Sequence, residues 1–331
     1  MILPGSGTRP AEGHFRNTSF AVLIFFLTIF LLFSAPAGEG QIPSDQNRAL
    51  YVWKLADEFD RMEELLTICE AASIKHLYLA VSREVLTMGT DLDLLVGSAA
   101  LLGIQCHAVL SENTWALAEN HGSGLQRVQD ILALNRTFTG PGRFAGIHID
   151  VEVHSLPEFK AAKSLYKQTG DPLALAAMQD LMGQWLDFVD AATGLARAEI
   201  PPLGVNVIAP QWFLKDGSPY SLVWRTVDQN VTLHLMGIVD EIVVLAYYHK
   251  PTKIAKRASE EMAAAALPGM AAVRVAINIS HKSLPVETLW YGGLAAMEEA
   301  LAHIQSTYEN AAGYAGTAIH MYESLRMLLT E

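Results

Sequence analysis

Short apolar runs and helical stretches alternate eight times along this chain, and that alternation narrows the fold more than any single residue does. The runs are Ala49–Trp53, His76–Val81, Gln105–Leu110, Phe144–His154, Leu203–Ile208, Glu241–Ala246, Arg274–Asn278 and Gly316–His320. Helical patterns are expected over Glu58–Ala72, Asp91–Leu102, Gly124–Leu134, Pro172–Ala198, Leu222–Met236, Ile254–Ala266, Leu289–Ala311 and from Ser324 onward, with an insertion over Leu156–Gly170. Apolar runs bounded by Gly, Pro or polar turns and followed by helices are the pattern of βαβ units and a parallel sheet. Eight such units in a chain of 331 residues fit an α/β protein of the (β/α)8 TIM barrel class, whose usual size is about 250 residues. A doubly wound open sheet with a nucleotide role would need a Gly-rich phosphate turn after the first strand, and Trp53–Asp57 offers none.

The residues before the first run belong to another category. Arg9 and Arg16 precede the uncharged run Phe20–Phe33, and Ala35–Ala37 supplies small residues after it. This is the layout of a secretory signal, expected over residues 1–37; the run is short for a bilayer span, which needs about 20 residues, although an uncleaved anchor is the alternative. Residues 38–48 read as a linker and 49–331 as one barrel domain. The expected location is therefore secreted or periplasmic. A net charge of −12 and the lack of any Lys/Arg stripe exclude a nucleic-acid partner. No membrane partner beyond the export signal, no cofactor and a monomeric state are expected. Cys69 and Cys106 each have apolar neighbours and read as two buried free thiols rather than a disulfide.

Within this frame the chemistry concentrates in the run Phe144–His154. Strand side chains alternate faces, so His148, Asp150 and Glu152 share one side, while Ile147, Ile149 and Val151 share the other. Acids are almost never fully buried without partners, so this row marks a strand end that opens into a site. TIM barrels collect function at the C-terminal ends of their strands. Those ends carry Trp53, Glu112, Trp212, Tyr247 with Tyr248, Asn278, and His320 with Glu323. Flat aromatic platforms among neutral or acidic hydrogen-bonding groups complement a sugar, which has an apolar ring face and a rim of hydroxyls. Only Lys54 and Lys250 stand near as cations, too few for a phosphate ligand.

Glycosidic cleavage needs a proton donor on the leaving oxygen. Glu152, flanked by Val151 and Val153, is the candidate, with an apolar surround expected to keep it protonated. Asp150, roughly 6 to 7 Å away along the backbone, is placed to tune it or to hold a polar substituent. His148, Trp53, Glu112, Trp212, Tyr248, Asn278, His320 and Glu323 are the candidate substrate-binding residues.

The stretch Gly146–Glu152, after Phe144, resembles the fourth-strand motif D-G-x-D-x-D-x-E of family 18 glycoside hydrolases, the chitinase-like barrels. Leu245–Tyr248 resembles, more weakly, that family's strand-six M-x-Y-D. The resemblance implies that Glu152 is the general acid, that Asp150 assists the substrate's 2-acetamido group and that Tyr247 supports it. Ala145, His148 and Tyr248 stand where the family has its first two strand-four Asp residues and its strand-six Asp. Beside Asp150, a neutral His148 would offer one hydrogen bond and a charged one would favour the ionised carboxylate.

Two other classes fit parts of this pattern. A metal-dependent hydrolase could draw on His148, Asp150, Glu152, His249 and His320, since His and carboxylate suit zinc or manganese; yet three alternate strand residues span about 13 Å by the strand rise, and no H-x-H or H-E-x-x-H pair exists. A non-catalytic carbohydrate-binding barrel has the same fold, because fold does not fix function.

Overall fold

The computed structural model describes residues 47–330 apart from residue 216, so the expected signal segment 1–37 and most of the linker lie outside the described residues. Eight parallel strands close into a barrel: β1 (Arg48–Val52), β2 (Ile74–Ala80), β3 (Gln105–Leu110), β4 (Phe144–Ile149), β5 (Gly204–Pro210), β8 (Glu241–Leu245), β9 (Ala272–Asn278) and β10 (Tyr314–His320). Their order around the ring is β1-β10-β9-β8-β5-β4-β3-β2. Two further strands, β6 (Ser221–Trp224) and β7 (Val227–Asn230), form an antiparallel hairpin outside the barrel.

Alternation along each strand produces two cores. Leu50, Val52, Leu77, Leu79, Ile147, Ile149, Val205, Val207 and Val275 face outward and pack under the helices. Ala49, Tyr51, Tyr78, Val109, Ile208, Val243, Ala276 and Ala318 face the barrel axis, joined by Trp53, Leu245 and Tyr247 at one end. Gly146 in β4 has a steric reason: a Cβ there would lie 2.4 Å from the Gly204 carbonyl oxygen of β5, so only glycine allows that strand pair to close. Both cysteines are buried and unpaired, and burial pushes the Cys106 thiol up to about 12.

Two stretches depart from the sequence reading. Leu222–Met236 is not one helix: it folds as the β6–β7 hairpin followed by a short helix, Val231–Met236. Arg225 and Thr226 both adopt positive φ, 48° and 73°, the conformation of a two-residue turn whose twist suits a hairpin. The expected insertion over Leu156–Gly170 is itself a helix, Pro157–Thr169, begun by Pro157 and stopped by Gly170 at φ 69°, the Pro-first, Gly-last arrangement that ends local helices.

The lower interior of the barrel is polar. Arg274 reaches the axis from β9 and forms a two-pronged ion pair with Glu241 of β8, at 2.9 and 3.0 Å. The same guanidinium donates to the carbonyls of Asn47 (2.8 Å) and Thr317 (3.3 Å). The Tyr78 hydroxyl donates to Glu241 at 2.9 Å. Burial by itself opposes the Arg274 charge, but Glu241 and its hydrogen bonds more than offset this and leave the guanidinium more firmly protonated than usual. Nearby imidazoles go the other way. Burial, reinforced by the Arg274 charge, lowers His76 and His107 to about 3, so both are neutral at ordinary pH.

Truncating one partner of a buried ion pair strands the other charge, whereas removing both does not. Arg274→Met is therefore expected to cost about 3–5 kcal/mol in urea unfolding, and Arg274→Met combined with Glu241→Leu to recover a large part of that loss.

Candidate active site

The site is built where the inward-facing residues of six strands run out. A cavity of about 220 Å³ at the C-terminal end of the barrel is lined by Tyr51, Trp53, Ser111, Asn113, Asp150, Glu152, Ile208, Leu245, Tyr247 and His320. That is the space of about seven liquid waters at ~30 Å³ each. Every lining residue sits on a strand or within three residues of its end. The two-residue spacing of Tyr51 and Trp53, and of Val109, Ser111 and Asn113, carries the strand alternation past the ends of β1 and β3.

Strand β4 ends at Ile149, five residues before the end of the run expected from sequence. Asp150 still extends it, its backbone N–H donating to the Leu110 carbonyl at 2.8 Å, and Val153–Ser155 then turns as a short 3-10 helix. This turn aims Glu152 into the mouth. Its backbone N–H donates to Asn113 Oδ1 at 2.7 Å, and its Oε2 accepts from the Ser155 hydroxyl at 2.8 Å. His154 Nε2 lies 3.7 Å from Oε1.

Asp150 occupies the deeper position. Burial, and then the neighbouring Glu152 carboxylate, push its carboxyl up to about 7, against a hydrogen bond from Ser111 that pulls the other way. The desolvation expected for Glu152 thus acts on Asp150, while the Glu152 side chain keeps 27 % of its surface exposed. Tyr247 shares the cavity, and burial followed by the charges of Asp150 and Glu152 holds its hydroxyl well above the usual phenol range. Trp53 stacks on Tyr51 with ring centres 5.6 Å apart and planes 8° from parallel. His320 packs edge-on to Trp53 at 6.0 Å; burial lowers its imidazole to about 4.

Of the residues expected from sequence, the fold thus gathers Asp150, Glu152, Tyr247, Trp53 and His320 into one cavity. The others lie elsewhere. His148 is wholly buried below the cavity, stacked on Tyr78 at 4.3 Å and sharing a 3.0 Å hydrogen bond with the Tyr51 hydroxyl; it is a support, out of reach of a ligand. Burial first, then His107 and Arg274, hold it neutral. Tyr248 points outward by strand alternation, beneath the Arg257 guanidinium at 4.6 Å. Asn278 is buried, with its amide spent on the Ser280 N–H and the Ser283 hydroxyl, both at 2.8 Å. Glu323 stands on the first turn of the helix Tyr322–Thr330, within electrostatic reach of Glu58.

Glu112 lines a neighbouring groove instead of the cavity. Trp212 flanks the site at one remove: it packs edge-on to His154 at 5.5 Å and carries the Lys163 ammonium 3.2 Å above its ring. Tyr51, Ser111, Asn113, His154 and Ser155 are not among the site residues singled out from the sequence. Alternation alone would have found Tyr51, Ser111 and Asn113, whereas His154 and Ser155 reach Glu152 only through the turn after β4. Of the residues of the metal alternative, Asp150, Glu152 and His320 line one cavity, while His148 and His249 lie apart from it. His148 is buried on Tyr51, His249 Nδ1 lies 3.2 Å from the Val286 carbonyl, and among the described residues no three His, Cys, Asp or Glu side chains are grouped to hold an ion.

Asp150 binds its proton more tightly folded than unfolded, so folding stability falls as pH rises from about 4 to about 7. Asp150→Asn is expected to remove that fall and to exceed the wild type above pH 7 by something on the order of 1–3 kcal/mol. The difference between the two melting curves across pH checks this, because the histidines, which lose stability toward acid, contribute equally to both.

No family model matches the sequence, and no curated protein matches it. Solved structures share its fold. It is similar to a family 1 β-glucosidase from Thermotoga maritima, at 12% identity and a TM-score of 0.50 over 80% of this chain and 77% of that one. It is also similar to the exo-β-1,4-mannosidase Op5Man5 from Opitutaceae bacterium strain TAV5, at 11% identity and a TM-score of 0.50 over 84% of this chain and 52% of that one. The chain has the closed (β/α)8 fold found in these glycoside hydrolases.

Proposed function

We propose that the chain is an exported glycoside hydrolase-like barrel that cleaves a poly- or oligosaccharide, with Glu152 as the proton donor and Asp150 assisting. The observation that carries the reading is the pair of carboxyl groups, one deep and one partly exposed, in a single cavity floored by Tyr51 and Trp53. Two nearby carboxyl groups in unlike surroundings are what acid–base division of labour at a glycosidic bond requires. A sugar ring lying on Trp53 brings its glycosidic oxygen toward Glu152, whose position is fixed by Ser155 and Asn113. Asp150, neutral below about pH 7, can donate a hydrogen bond to a ring substituent, or to Glu152 once that residue has given up its proton.

Substrate assistance of the family 18 kind is the finer form of this reading, and Tyr247 beside Asp150 supports it. His148, standing for that family's second Asp, contributes only through Tyr51. The reading therefore rests on Glu152, Asp150 and Tyr247, and leaves the sugar open.

Screening the purified chain against bacterial and plant polysaccharides, with product analysis, is expected to reveal released oligosaccharides. Glu152→Gln should lower turnover on the order of 10²–10⁴-fold with binding retained. Binding without turnover, equal in the wild type and Glu152→Gln, would make this a carbohydrate-binding barrel instead.

A further inference from the structure

A second groove, of about 580 Å³, opens beside the cavity over the ends of β2 and β3, and Trp53 and Ser111 line both. Its other walls include Trp115, Ser82, Arg83 and Arg127. The two arginines come from different elements. Arg83 begins the short helix Arg83–Thr87, for which the Ser82 hydroxyl accepts the Val85 N–H at 3.2 Å. Arg127 lies on the helix His121–Thr137 and donates to the Val81 carbonyl at 3.3 Å.

Among the described residues neither guanidinium has a carboxylate within ion-pair distance, whereas Arg48, Arg136, Arg197, Arg225 and Arg274 each do. The one acid in the groove, Glu112, is engaged by Thr114: its Oε1 accepts from the Thr114 hydroxyl at 2.9 Å and the Thr114 N–H at 3.4 Å. Burial, and then the Arg83 charge, lower Arg127, with Asp130 partly compensating. Two mutually repelling cations thus share one wall with no carboxylate in ion-pair contact, on a protein of net charge −12. Guanidinium forks match planar carboxylates and tetrahedral oxyanions, and the flanking indoles supply platforms for a sugar face.

We propose that this groove is the subsite for an anionic sugar unit, one bearing a carboxylate or a sulfate ester, next to the ring held in the Asp150–Glu152 cavity. The inference rests on the glycosidase reading for its placement along a saccharide, but its test reads binding alone. Full-length chain, wild type and Glu152→Gln, is titrated calorimetrically at low salt. The probes are tetrasaccharides of alginate and pectate, their carboxyl-reduced neutral counterparts, and a sulfated, uronate-free oligosaccharide with its desulfated form.

At least one charged probe is expected to bind about tenfold tighter than its neutral counterpart. The charged member that shows this preference distinguishes carboxylate from sulfate. Arg83→Gln, at an exposed position, and Arg127→Gln should each abolish most of the preference without changing the affinity of the neutral form. Equal affinity for charged and neutral forms, no binding of any charged probe, or a preference that survives both substitutions would overturn the proposal. A Glu152→Gln chain that turns over polysaccharide normally would instead overturn the glycosidase reading and leave the arginine-dependent preference to be read separately.

Discussion

The ion pair between Arg274 and Glu241 is the footing on which the rest of this barrel stands. Two charges taken out of water are tolerable only when their geometry is close and their remaining hydrogen bonds are met, and here both conditions hold. The pair is also the first rung of a continuous stack. Tyr78 donates to Glu241, His148 lies on Tyr78, Tyr51 bonds His148, and Trp53 lies on Tyr51. A positive charge at the base disfavours further positive charge above it, which together with burial keeps the imidazoles of His76, His107 and His148 neutral. The floor of the cavity is thereby rigid, apolar in its upper part and indifferent to protonation near neutral pH.

On that floor the two carboxyl groups differ because of depth. Asp150 continues the strand and is enclosed by the barrel, so its charge is resisted; Glu152 stands past the turn, partly in solvent and tied to Ser155 and Asn113. Two residues of backbone separate them, yet one is a half-buried group whose carboxyl is pushed up to about 7 and the other is at the rim. The adjoining groove repeats the lesson with the opposite sign. Arg83 and Arg127 lie far apart in the chain, and only the packing of their helices against the ends of β2 and β3 brings both charges to one wall.

Departures of the structure from the sequence reading have local causes. The helix expected over Leu222–Met236 failed because hydrophobic spacing there suits two short strands equally well, and the positive φ of Arg225 and Thr226 is invisible to a count of apolar residues. Tyr248 and Asn278 stand at strand ends as expected, but one faces outward and the other is consumed by its own following loop. His148 has the inward face that alternation gave it, and lies too deep for a ligand to reach. A strand's sequence encodes the side a residue faces; it does not encode depth along the barrel axis.

By itself the sequence determined the number of βα units, the closed parallel architecture and the shared face of His148, Asp150 and Glu152, since all of these follow from periodicities of two and 3.6 residues that neighbouring positions carry. Only the tertiary structure decided which inward residues meet in one cavity, which acid lies beneath the other, and that two arginines without an ion-paired carboxylate border the same opening. Those properties depend on strand register around a closed ring and on how much water each group keeps, and both are set by contacts between segments remote in the chain.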